Sequence, residues 1–239
     1  MPWACGRCLI TCSNDIQRHR GVLDKAPEDT ASKSKLYYIH DPMCAWCWGY
    51  QPTLIKLAHS LNKGPLKLDL IRILGGLAPD TDSPMPNSMR EQIMSYWQHI
   101  HNKLGTEFNF DFWTQNTPRR ATYAACRAVL VARQFNREQA LILAIQKAYY
   151  LRALNPSDDH VLATLATEVG LDRDLFLAQL NAQNTQNLLN TEIAFARSIG
   201  GNSFPSWVLI KDQQPYTIPV DYDDHINTLS KLHSLLDVS

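Results

Sequence analysis

The chain has 239 residues, enough for one large domain or a small domain carrying an insertion. Lys+Arg and Asp+Glu balance at 23 each, so no global field recruits nucleic acid or an anionic membrane. A hydrophobic fraction of 45% is ordinary for a soluble globular protein, and no apolar run approaches the roughly 18 residues needed to cross a bilayer.

Residues 1–34 mix Arg7, Arg18, Arg20 and Lys25 with Asp15, Asp24, Glu28 and Asp29 and show no sustained periodicity. Their longest aliphatic stretches, Leu9-Ile10 and Val22-Leu23, fall far short of the roughly 7–15 apolar residues of a secretory segment. The acids disfavour a transit peptide, so the segment reads as a flexible N-terminal extension. The default compartment is then cytoplasmic. Structural disulfides are disfavoured there, and paired cysteines point to catalysis, redox sensing or metal binding.

Leu36-Tyr37-Tyr38-Ile39-His40 is a short β-prone run, broken by Asp41-Pro42. From Cys47 the pattern turns helical, with Leu54, Leu57, Ala58 and Leu61 at three- and four-residue spacing. Gly64-Pro65 stops that helix, and Leu66 to Leu74 reads as a second strand. Strand, helix, strand over about 40 residues is a βαβ unit with parallel strands.

Residues 75–90 are turn-rich, and a helical block follows. Thr117-Pro118 predicts a helix start, with Ala121, Ala124, Ala125, Ala128, Val129 and Ala132 along one face to Phe135. Further helices are predicted over 138–152, from Ser157 or Asp158 to Gly170, after Asp172, and over 185–199 before Gly200-Gly201. Strand signal returns at Ser206–Ile210 and Tyr216–Val220, joined by a short hairpin connection, with Pro219 placing the second strand at a sheet edge. Ile226, Leu229, Leu232, Leu235 and Leu236 form the stripe of a closing helix. The order is β-α-β, helical insert, β-β-α, an α/β arrangement.

The six cysteines fall in three groups: Cys5, Cys8 and Cys12, then Cys44 and Cys47, then Cys126. A zinc site shared by the two C-x-x-C pairs is disfavoured, because 35 residues separate Cys8 from Cys44, about twice the usual 15–20. No metal is expected. Cys44-Ala45-Trp46-Cys47 instead lies at a strand-to-helix junction. A thiol at a helix N-terminus meets unpaired N–H groups and the macrodipole, which stabilise the thiolate and lower its pKa from about 8.5 to roughly 3.5–7.5. A second cysteine one turn on can close a disulfide. Cys44 is therefore the expected attacking thiolate and Cys47 the resolving thiol. Trp46 is expected beside the reactive sulfur, partly exposed. Trp48 reads as a core aromatic, and Cys126, in an alanine-rich helix, as a small core hydrophobe.

Asp41-Pro42-Met43-Cys44-Ala45-Trp46-Cys47-Trp48-Gly49 resembles the D-P-M-C-x-W-C-W-G signature of a DsbA-like family of the thioredoxin superfamily, whose members are described as predicted protein-disulfide isomerases. Gly75-Gly76-Leu77-Ala78-Pro79-Asp80, Asn116-Thr117-Pro118-Arg119-Arg120 and Asn155-Pro156-Ser157-Asp158-Asp159 are also similar to that family, and the likeness runs from about residue 35 to about 212. It implies a thioredoxin-like fold with residues 35–84 as its first part, 85–184 as a helical insertion and 185–239 as its second part. The tail with Cys5, Cys8 and Cys12 departs from the family pattern. The resemblance also implies a cis-proline loop at Pro205 facing the C-x-x-C. Such a loop would offer the Phe204 backbone to an extended substrate as an added strand, with Met43, Trp46 and Phe204 as an apolar rim. His40 is a further candidate for holding the thiolate, and Arg119 and Arg120 for binding an acidic substrate group.

The resulting expectation is a thiol–disulfide oxidoreductase or protein-disulfide isomerase acting on protein or peptide thiols and disulfides. It needs no bound cofactor beyond its own redox-active disulfide, with glutathione as a candidate redox partner. The alternative is a glutathione-dependent isomerase or transferase of the kappa-class type. Those proteins typically carry serine where Cys44 stands and do not need Cys47. A redox sensor or zinc module using the tail cysteines is a third class, separable by metal analysis.

Overall fold

The computed structural model describes residues 34–66 and 68–237. Cys5, Cys8 and Cys12, and the reading of the first 33 residues, lie outside the described residues. In chain order the elements are β1 (Lys35–His40), α1 (Ala45–Gly49), α2 (Gln51–Lys63), β2 (Asp69–Leu74), α3 (Asn87–Leu104), α4 (Phe112–Gln115) and α5 (Tyr123–Gln134). Then come α6 (Glu138–Tyr150), α7 (Asp159–Glu168), α8 (Arg173–Leu180), α9 (Gln183–Ser198), β3 (Ser206–Lys211), β4 (Gln214–Ile218) and α10 (His225–Leu236).

The sheet order is β2-β1-β3-β4, with β1 parallel to β2 and antiparallel to β3, and β3 antiparallel to β4. The fold is α/β, as the sequence predicts. Alternation along the two central strands sorts their side chains onto opposite faces. Leu36, Tyr38, Trp207 and Leu209 pack with Tyr50, Leu54, Leu57 and Leu61 around α2 and with Leu232 of α10. Tyr37, Ile39 and Val208 pack with Ala196 of α9 and with Ile199. Both faces are covered, which explains why five of the six β1 residues are buried.

Between β2 and α9 the chain builds a helical insert with its own core. Trp97 of α3 is fully buried and meets the rings of Phe108, Phe110, Phe112, Trp113, Tyr149 and Tyr150. Helix α5 is predicted to be amphipathic, yet every residue from Ala124 to Ala132 is buried. Its alanines let α6, α7, α8 and α9 approach it from several sides.

Several predicted boundaries shift. Helix α5 starts at Tyr123 rather than at Pro118, because the preceding segment is pinned elsewhere. Met85 N–H donates to Pro118 O at 2.7 Å, and Arg119 bridges Pro84. The second strand begins at Asp69, three residues beyond the predicted start. Strand β4 covers Gln214–Ile218, so Pro219 follows it, although β4 does form the sheet edge. Asp212 and Gln213, both in the left-handed region, make the two-residue turn between β3 and β4. Ile226 of the predicted closing stripe is 49% exposed, while Leu232 is buried.

Candidate active site

The carboxyl end of β1 delivers the chain into a turn over residues 41–44, and Cys44 becomes the N-cap of α1. The turn is held by its own aspartate: Asp41 Oδ1 accepts from Met43 N–H at 2.8 Å, and Asp41 O accepts from Cys44 N–H at 3.1 Å. One turn later lies Cys47. Both cysteines are buried free thiols, and the Cys47 thiol donates to the Cys44 sulfur. Burial pushes the Cys47 thiol well above its ordinary range, and the Cys44 hydrogen bond and charge push it further.

Pro205, joined to Phe204 by a cis peptide bond, precedes β3, which pairs with β1. This pairing brings the Phe204 carbonyl to the motif, where it accepts from the Cys44 thiol at 3.4 Å. The Phe204 ring turns away and packs over Gly75 on the Ile71, Phe195 and Ile210 side of the sheet. Phe204 thus meets Cys44 through its backbone, and its ring is not part of an apolar rim around the sulfur.

Met43 is 7% exposed and belongs to the insert core, so it too is withdrawn from the expected rim. Trp46 remains half-buried, its ring edge-on to His99 of α3 and Tyr222, with Lys103 Nζ 5.9 Å from the Trp46 centroid. Trp48 stacks on Tyr150 and donates to Glu107 O at 3.1 Å. Tyr38, Tyr150 and Tyr222 lie near the two sulfurs, their phenols pushed up first by burial, with the cysteine charges adding to the rise and, for Tyr150, Tyr149 ahead of them.

The weaker candidates separate clearly. His40 is buried, its Nε2 has no hydrogen-bond partner, and burial together with Arg72 and Arg133 pushes its pKa down to about 3. A neutral imidazole brings no charge to hold a thiolate, which corrects that expectation. Arg119 is committed to Asp158 at 2.5 Å and to Ser157 O at 2.7 Å, clamping the insert rather than lining a cleft. Arg120 lies beside buried Tyr149. Among the described residues, no cluster of three or more His, Cys, Asp or Glu side chains is arranged to hold a metal.

Asp41, read from sequence only as a strand breaker, is the residue that pattern reasoning missed. It is fully buried and joins three segments. Its Oδ2 accepts from Leu77 N–H at 2.7 Å, from Thr122 Oγ1 at 2.7 Å and from Cys126 Sγ at 3.4 Å. Its place beside Pro42 in the motif was the only signal available.

A DSBA-like thioredoxin domain matches residues 37–221. Among curated proteins, the ClpXP adapter protein SpxH of Halalkalibacterium halodurans is 23% identical over 211 residues, covering 81% of this chain and 66% of that protein. SpxH of Bacillus subtilis is 21% identical over 183 residues, covering 75% and 59%. The chain thus spans less than two thirds of the length of these curated relatives. A Nitrosomonas europaea protein put forward as a protein disulfide isomerase superposes with a TM-score of 0.73 at 23% identity, covering 86% of this chain and 98% of that one. Cytosolic disulfide reductase DsbM from Pseudomonas aeruginosa superposes at 0.68 and 23% identity, covering 86% and 100%. These likenesses agree with the fold described above, and the family model, which matches most of the chain, decides the assignment: the protein belongs to the DSBA-like thioredoxin domain family.

Proposed function

We propose that the protein exchanges thiols and disulfides of polypeptide substrates through a mixed disulfide at Cys44. The observation that carries this reading is the placement of Cys44 at a helix N-cap, with the Phe204 carbonyl on one side and the Cys47 thiol in hydrogen-bond contact on the other. The Cys44 thiolate attacks one sulfur of a substrate disulfide. A Cys44–substrate S–S bond forms, and the other substrate sulfur leaves as a thiolate and takes up a proton. Cys47 then loses its proton to solvent and attacks Cys44. The mixed disulfide breaks, the second substrate thiolate departs, and Cys44–Cys47 holds the oxidised pair. The substrate gains two electrons and the dithiol loses them, so an external thiol must restore the reduced form.

Glutathione is the proposed external thiol. A structure of DsbM with GSH among the fold neighbours supports the choice by analogy alone. Isomerisation uses the same first step, with a substrate thiol rather than Cys47 resolving the intermediate. The kappa-class reading is second, because it leaves unexplained a Cys47 thiol hydrogen-bonded to the Cys44 sulfur. An adapter role is a further reading, carried by the SpxH relatives.

Insulin reduction by the full chain with glutathione, beside Cys44→Ser and Cys47→Ser, tests the proposal. Cys44→Ser is expected to be inactive, and Cys47→Ser to accumulate a trapped mixed disulfide. Equal activity in Cys44→Ser ends the oxidoreductase reading. Unchanged glutathione-dependent turnover in Cys47→Ser favours the kappa-class one. Unchanged ClpXP-dependent proteolysis with a Cys44→Ser, Cys47→Ser double variant favours the adapter.

A further inference from the structure

The geometry points to Asp41 as a positioning residue of the exchange reaction: its buried carboxylate fastens the Met43–Cys44 turn to the helical insert and sets the two thiols apart, Cys44 attacking and Cys47 waiting. This inference rests on the exchange reading above.

Asp41 has no exposed surface, and each contact to its carboxylate comes from a donor: Met43 N–H, Leu77 N–H, the Thr122 hydroxyl and the Cys126 thiol. Met43 N–H and Leu77 N–H can only donate, so each of the two carboxylate oxygens meets one group to which a carboxylic proton could not bond. Burial raises the Asp41 pKa above the usual carboxylate value, and the hydrogen bonds from Leu77, Thr122, Met43 and Cys126 oppose that rise without cancelling it. Four donors converging on two oxygens favour the charged form.

The same residue reaches Cys47. Its backbone N–H donates to the Cys47 sulfur, and its carboxylate charge acts on that thiol in the direction that raises its pKa. A second negative charge on Cys47 would form in a buried site already holding one, and like charges in low dielectric oppose each other. The other titratable groups around the pair do not supply a competing charge. Tyr38 of β1, Tyr150 of α6 and Tyr222 face the sulfurs as neutral phenols. Tyr123, Tyr149 and Cys126 face Asp41 and are likewise pushed toward their neutral forms by burial. His40, next in the chain, is neutral, and the charges of Arg120 and Arg197 act on Tyr149 and Tyr123.

The anchor also ties the site to the insert. Leu77 is on the loop after β2, while Thr122 is the N-cap of α5 and Cys126 lies one turn into it. The residue that holds the Cys44 turn is therefore clamped by the element at the centre of the insert core.

Stopped-flow reaction with 5,5′-dithiobis(2-nitrobenzoate) separates the two thiols, in full-length protein with Cys5, Cys8 and Cys12 replaced by serine. The first thionitrobenzoate released reports Cys44, and the second reports attack of Cys47 on the mixed disulfide. Asp41→Asn is expected to move the pH midpoint of the second release down by about one unit, corresponding to about tenfold more Cys47 thiolate below the midpoint. Thr122→Val keeps the carboxylate and is expected not to lower that midpoint, so loose packing alone does not mimic the effect. An unmoved or raised midpoint in folded Asp41→Asn overturns the role assigned to Asp41 while exchange itself stands. A parent that never releases the second equivalent overturns both. Should Asp41→Asn not fold, infrared spectra of the reduced parent at neutral pH decide: an ionised carboxylate that responds to oxidation of the pair supports the assignment, and the carbonyl stretch of a protonated Asp41 refutes it.

Discussion

Adding one methyl group at Gly75 should disturb both stability and chemistry, because Gly75 is where the Phe204 ring touches β2's exit. A Cβ built there falls 1.8 Å from Phe204 Cε1, 2.4 Å from Cζ and 2.7 Å from Cδ1. Carbon atoms rest about 3.5–4.0 Å apart, so the ring must withdraw by roughly 1.5–2 Å. Phe204 packs against the cluster holding Tyr37, Ile39 and Val208, and its carbonyl accepts from Cys44, so moving the ring strains both. Overpacking of this kind costs about 1–3 kcal/mol. For a domain of this size each kcal/mol lowers Tm by about 2–4 °C, giving an expected fall of roughly 2–12 °C in Gly75→Ala, with slower insulin reduction. The cause is steric and not conformational, since Gly75 is not among the glycines with positive φ. In a Phe204→Ala background the added methyl group has room, and the further drop should vanish. Circular-dichroism melts of the four proteins measure this. An equal drop in both backgrounds, or a Gly75→Ala protein that melts with the parent, refutes the reasoning.

Acidification should cost stability through His40. Its folded pKa lies at about 3, below the ordinary 6.5, so the unfolded chain binds the proton first. The contribution is fully present above about pH 6.5 and is lost as pH falls toward 3, amounting to about 2 kcal/mol by pH 5. Urea titrations at pH 7.5 and 5 should show a shallower pH dependence in His40→Gln, and parallel behaviour would contradict the assignment. Tyr50→Phe should cost about 1–3 kcal/mol, because it strands the buried Trp207 indole N–H, which donates to the Tyr50 hydroxyl at 3.1 Å. A Tm unchanged from the parent would count against that bond. Arg119→Ala should lower Tm by a few degrees through loss of its Asp158 and Ser157 contacts, with kcat for insulin reduction unaltered. A large loss of kcat with an intact melt would return Arg119 to the substrate site.

Much of the layout was legible in the sequence because it depends on near neighbours. Helix α2 follows from leucines three and four residues apart, and the N-cap of α8 follows from Asp172, whose side chain accepts from Leu175 N–H at 2.8 Å. Helix α5 starts at Tyr123, later than its local signal at Thr117-Pro118, for the opposite reason. Thr117-Pro118 has good local chemistry for a helix, but Met85 and Ser157 claim that segment from distant parts of the chain. The burial of α5 on all sides was equally invisible, since alanine is compatible with either a surface or a core.

The candidate site divides along the same line. Sequence alone determined the spacing that puts two thiols one helical turn apart after a strand, because a few consecutive residues set that geometry. Tertiary structure decided which groups surround those thiols. Phe204 reaches Cys44 across 160 residues, and Thr122 and Cys126 reach Asp41 across 81 and 85. Strand pairing and the packing of the insert created those contacts. Burial then settled the protonation of His40, the withdrawal of Met43 and the strength of the Asp41 anchor, because each depends on how much water the whole fold excludes rather than on adjacent residues.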